Sequence, residues 1–147
     1  MYSFLLILHI LGATVWTGGH IVLALAILPY VLRNKDVNFL KIFESLYEKV
    51  GIPSLVMQVV TGFMLTAYYI SYDFSLITQS TALHTLFLTK FGLLALIILF
   101  AFHARVRIIP NLHEHNLIAL ALHIIPVTII SILFVLAGAG FKLGWFS

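Results

Sequence analysis

Long apolar runs alternate with short polar connections along this chain. Runs at 2–32, 51–72, 81–103 and 117–140 each reach the about 20 apolar residues that cross a bilayer as a helix. They predict an all-α, four-helix transmembrane bundle occupying 1–147 as a single domain. The first run exceeds the minimum, which predicts tilt or projection beyond the membrane. Residues 33–49 break the pattern. Arg33, Lys35, Lys41 and Lys49 alternate there with Asp36, Glu44 and Glu48, while Phe39, Leu40, Phe43, Leu46, Tyr47 and Val50 recur at helical spacing. This predicts an interfacial amphipathic helix between spans one and two. Pro53 is expected in the first turn of span two, where proline is tolerated. A polar connection at 71–80 holds Asp73, and Pro110, Asn111, His113, Glu114 and His115 mark a turn before span four.

The polar residues inside these runs carry the candidate chemistry. In span one, at about 100° per residue, His9, Trp16 and His20 return to one face, with Gly12, Ala13, Gly18 and Gly19 beside them. Small residues there allow a partner helix or a flat cofactor to approach the backbone. By depth, His20, Gln58 and His123 share one half of the bilayer, with His103 nearer that surface. His9 and His84 lie toward the other surface, with Lys90 about two turns deeper. Ionisable groups in a span are costly and usually face the bundle interior with a partner. The expectation is that His20 meets His123 as axial ligands of a haem or as part of a copper site, since neutral imidazole suits both. The alternative is a helix-to-helix hydrogen bond without a cofactor. His9 with His84 or Lys90 would form a second site. His103 reads as a ligand or an interfacial residue, and Trp16 as packing or the wall of a cofactor pocket. Lys90 and His103 stand about 140° apart on a straight helix, so they share a cofactor only if span three bends, with Gly92 the expected place. His113 and His115 read as solvated.

Composition narrows the class. The 147 residues are 62% hydrophobic and 9% charged, with mean hydropathy +1.12, whereas soluble domains carry about a quarter charged residues. No cysteine is present, which excludes disulfides and thiolate metal sites. The net charge of +3 comes from few groups and gives no reason to expect nucleic acid as a partner. The first run lacks a basic start and is long enough to be retained, so no cleavable signal peptide is expected. Lys90 aside, six of seven Lys and Arg residues fall in the first and third connections. The positive-inside rule then places those connections in the cytoplasm and both termini on the outer, periplasmic side of a bacterial plasma membrane.

These residues also carry a family likeness. His9, Trp16, Gly18-Gly19-His20, Leu28-Pro29, Phe43-Glu44, Tyr47-Glu48, Gly51-Ile52-Pro53, Gln58 with Thr61-Gly62, Lys90, His103-Ala104-Arg105, Arg107 with Ile109-Pro110, and His123 with Val127-Thr128 resemble the copper-resistance D (CopD) type of membrane protein. More distantly, His9, Trp16, Lys90 and His103 resemble the HemJ-type protoporphyrinogen oxidase, which binds haem b. Tyr30 follows Leu28-Pro29 here, where that oxidase has Leu-Pro-Arg. The resemblance implies haem b, copper or both, in copper handling or membrane electron transfer. His9, His20, His103 and His123 would be metal ligands, and Trp16, Gln58, Lys90 and Arg105 would complete the cofactor site. A membrane oxidoreductase, a copper permease without haem, and a homodimer working with a quinone or a periplasmic redox or copper partner all follow as expectations.

Overall fold

Among the described residues of the computed structural model, four helices are long and apolar enough to cross a membrane, at Tyr2–Asn34, Val37–Tyr69, Ala82–Asn111 and Glu114–Lys142. The structure describes residues 1–72 and 82–145, with only the backbone of 70–72. Asp73 and most of the connection expected at 71–80 lie outside the described residues. The first span consists of α1 (Tyr2–Val22), a π-helical turn (Leu23–Ile27) and α2 (Leu28–Asn34). Then come α3 (Val37–Tyr72), α4 (Ala82–His103), a second π-helical turn (Ala104–Ile108), two 3-10 turns, and α5 (Leu117–Lys142). Among the described residues there are no strands.

Proline explains the two wide turns. Pro29 and Pro110 have no N–H to return to the carbonyls of Leu25 and Val106, and a proline ring clashes with the carbonyl four residues back. The residue just before each proline bonds one place further back instead, Leu28 to the Leu23 carbonyl and Ile109 to the Ala104 carbonyl. Gly92, the expected place for a bend, lies inside α4, which is continuous from Ala82 to His103. The boundary expected near residue 50 is also absent from the structure. The helix is continuous from Val37 through Pro53 to Tyr72. The chain turns earlier, where Lys35 closes α2 in the left-handed region at φ 55 and the Asp36 carboxylate accepts the Phe39 N–H at 2.9 Å to start α3.

The helices form two pairs, α1 against α3 and α4 against α5, joined by α1 packing on α5. Packing is unequal along the bundle. At the end bearing Arg33, Lys35, Arg105 and Arg107, a continuous core of Leu28, Val31, Leu40, Ala104, Ile108, Leu112, Leu117, Leu120, Ala121 and Ile124 excludes solvent. Toward the opposite end the buried clusters shrink to Trp16, Ile97, Val127 and Ile130, then to Leu83, Leu86 and Ala137. The room left there is the site.

Candidate functional site: an intramembrane cavity between the helix pairs

A cavity of about 630 Å³ runs from Leu55, Trp16 and Ile97 toward Tyr2, Tyr69 and Phe141. Its walls are apolar, interrupted by His9, Gln58, Lys90, Thr17 and Ser131. Among the described residues the lining holds two lysines, Lys90 within and Lys142 toward the end, and no carboxylate. An apolar pocket with a few convergent polar groups is what small-molecule sites look like.

His9 is held by α3. Its Nδ1 lies 3.0 Å from the Thr61 hydroxyl oxygen, while Thr61 directs its single hydroxyl hydrogen at the backbone, with the Met57 carbonyl at 2.6 Å. The hydroxyl oxygen therefore accepts from His9 Nδ1–H, which leaves Nε2 as a lone-pair donor. The helices approach closely here because of glycine. A Cβ at Gly12 would sit 2.8 Å from the Ser54 carbonyl oxygen, and one at Gly62 would lie 3.2 Å from the His9 ring. Gln58, one turn from Thr61, is only 7% exposed, and its Oε1 is buried without a hydrogen-bond partner. Across the cavity Lys90 Nζ lies 5.1 Å from the centre of the Phe134 ring. It fits beside Gly138, where a Cβ would come within 3.2 Å of the ammonium.

Trp16 and His20 belong to a neighbouring polar layer. Trp16 donates its indole N–H to Ser131 Oγ at 3.1 Å, so it both packs and lines the cavity. The His20 Nδ1–H donates to the Trp16 carbonyl at 3.0 Å, as does the Tyr47 hydroxyl at 2.8 Å. The two rings Trp16 and His20 lie 4.3 Å apart. The Thr128 hydroxyl of α5 donates to the Ile124 carbonyl at 2.7 Å and lies 3.2 Å from the His20 carbonyl. His123, five residues earlier on the same helix, therefore points elsewhere, about 140° away.

The expected meeting of His20 with His123 is accordingly not what the structure builds. His123 donates its Nδ1–H to the Ala119 carbonyl at 2.8 Å and faces His103 of α4, with His103 Nδ1 2.8 Å from His123 Nε2. Those rings are nearly coplanar, 13° apart, and meet edge to edge at a centroid distance of 4.9 Å. Arg105 pairs with Glu48, away from the cavity. Of the eight candidate residues, His9, Trp16, Gln58 and Lys90 share the cavity, His20 adjoins it through Trp16, and His103, Arg105 and His123 lie outside it. His84 is half-buried on α4 and does not line the cavity. Among the described residues no three His, Asp, Glu or Cys side chains stand close enough to hold a metal ion together.

Ser131, Phe63, Phe91 and Phe134 are cavity residues that sequence reading passed over. A buried indole N–H requires an acceptor, and the hydroxyl of Ser131 on the facing span was the available signal. Comparison with protein-family models, curated proteins and solved structures returns no match for this chain.

Proposed function

We propose that this chain is an integral membrane protein that holds haem b in the cavity and serves membrane electron transfer. The observation that carries the reading is the His9–Thr61 hydrogen bond, which commits Nδ1 and presents Nε2. Metal-ligating histidines are oriented in this way, by a hydrogen bond from the other ring nitrogen. The remaining lining suits the same group. The apolar walls take a flat macrocycle, and Lys90 is the cation for a propionate. Trp16, Leu55 and Ile97 close the deep end of the cavity against water. Haem supplies one-electron chemistry that these side chains lack. His9 would hold the iron, Thr61 fix the His9 tautomer, and Lys90 neutralise the acid. His9 is the histidine that lines the cavity, so it would be the one protein ligand to the haem, in place of a His20–His123 pair.

Copper handling rests on the resemblance alone, because the closest imidazole pair, His103–His123, is bonded to itself and lacks a third ligand. One observation favours the HemJ-type oxidase as a second reading. The unpaired Gln58 Oε1 needs a hydrogen-bond donor, which the pyrrole N–H groups of a porphyrinogen offer and the ring of haem does not. We also propose that the basic end faces the cytoplasm of a bacterial cell, with residues 37–50 of α3 at the interface and both termini outside.

Visible spectra of gently solubilised protein titrated with haem test the main reading. A shifted Soret band is expected, lost in His9→Ala and weakened about 10–100-fold in affinity in Thr61→Val, the usual effect of removing an orienting partner. Unchanged binding by His9→Ala, or a colourless protein that retains copper stoichiometrically, would overturn it. Accumulation of protoporphyrinogen in a deletion strain would select the second reading.

A further inference from the structure

Helices adjacent in sequence normally pack against each other, yet α3 and α4 hardly approach. Their backbones make almost no close contact, although each packs along its other partner. The cause is visible in the side chains that meet along the seam. Where α1 meets α3, small residues bring the helices together; between α3 and α4 the meeting pairs are Phe63 with Phe91, ring centres 5.6 Å apart, and Tyr69 with Phe87, 6.5 Å apart. Large rings hold two helices apart, as small ones let them close. The cavity lies directly behind this seam, lined on one side by Gln58, Val59, Gly62 and Thr66 and on the other by Leu86, Lys90 and Leu94.

Phe63 and Phe91 line the cavity and are themselves 54% and 42% exposed. Each stands nine residues from the adjoining ends of α3 and α4, about 13 Å along the helix axes. That depth is within the roughly 30 Å hydrocarbon layer. At that depth the rings stand between the cavity and acyl chains. At the basic end the aqueous route is closed by the continuous core around Leu40 and Leu120.

We propose that the cavity is loaded sideways from the bilayer, through the α3–α4 seam with Phe63 and Phe91 as its door, so that its ligand is a lipid-dissolved amphiphilic acid. The acid requirement comes from Lys90 within the cavity and Lys142 toward its end, with no carboxylate among the described lining residues. The orphan Gln58 acceptor calls for a donor group on the same molecule, which a protonated carboxyl can supply. This goes beyond the haem reading and does not need it, since the route is a property of the seam.

The test uses the two tryptophans. Trp145→Phe leaves Trp16, on the cavity wall, as the sole indole. In phosphatidylcholine vesicles brominated in the acyl chains, Trp16 fluorescence is expected to be quenched although the residue is buried, while aqueous acrylamide leaves it untouched. The chain has no cysteine, so Phe63→Cys/Phe91→Cys forms a unique pair. Joining it with a short bifunctional reagent should remove most of the bromolipid quenching, and Phe63→Ala should increase it. Uptake of haem from vesicles should be blocked by the same cross-link and restored by cleaving it, and the dimethyl ester of haem should bind more weakly than the free acid. Acrylamide quenching without bromolipid quenching, or bromolipid quenching indifferent to the cross-link, overturns the lateral route. Equal binding of ester and acid overturns the acid requirement. Quenching as expected with no haem uptake by the uncross-linked protein leaves the route standing and overturns the haem reading.

Discussion

Gln58 carries a buried side-chain oxygen, Oε1, without a hydrogen-bond partner. A buried acceptor left unpaired costs about 1–3 kcal/mol, and nothing else in the cavity wall relieves it. Gln58→Leu is therefore expected to raise the unfolding midpoint of the ligand-free protein, by about 1 kcal/mol of stability, while lowering its affinity for any donor-bearing ligand. Thermal unfolding in detergent with and without ligand separates the two effects, and a variant less stable than the parent when empty would show that Oε1 is already satisfied. Gln58, His9 and Lys90 were legible in the sequence because intramembrane polar groups are rare and face inward. Their grouping was legible only in part: His9 is expected with His84 or Lys90 and shares the cavity with Lys90, whereas Gln58, expected at the depth of His20 and His123, joins them there. Depth along a helix can be counted from the sequence, but azimuth relative to the other helices cannot. His20 and His123 share a depth, yet Thr128 turns toward His20 while His123 turns toward His103.

At the level of helices, the contact between α1 and α3 rests on missing side chains. A Cβ on Gly19 would overlap the Tyr47 ring, which reaches across to the Trp16 carbonyl. Gly18, its neighbour, has open space around its Cβ position. Gly19→Ala should destabilise the bundle by about 1–3 kcal/mol, the usual effect of overpacking, and push Tyr47 off its acceptor. Gly18→Ala should be neutral or stabilising by up to about 1 kcal/mol, because alanine is the better helix former. Equal effects at both positions, measured by unfolding in detergent, would mean that the close approach is absent. The four helices themselves followed from hydropathy. The fusion of the predicted interfacial helix with span two did not, because Pro53 reads as a helix start, yet the described α3 passes through it. An interior proline deprives the Lys49 carbonyl of its N–H partner, a loss that a packed helix of 36 residues tolerates without breaking.

Over the described residues, tight packing and charge lie at one end and the cavity lies toward the other. Arg33, Lys35, Arg105 and Arg107 flank the continuous core, and the Arg105–Glu48 pair ties the turn after α4 to α3. Cationic residues near span ends resist translocation far more than carboxylates do, so their placement sets orientation irrespective of net charge. A C-terminal alkaline phosphatase fusion is therefore expected to be active and a fluorescent-protein fusion dark, since both report an outer terminus. The charges on the two basic connections act together, so neutralising one alone should leave the orientation in place. Replacing Arg33, Lys35, Arg105 and Arg107 with Gln while adding two Lys beside Lys142 should produce a mixed population, with fluorescence appearing as phosphatase activity falls. If the parent fusion fluoresces and lacks phosphatase activity, the basic end faces outward. The cavity, displaced toward the other end, would then open its seam in the cytoplasmic leaflet instead of the outer one.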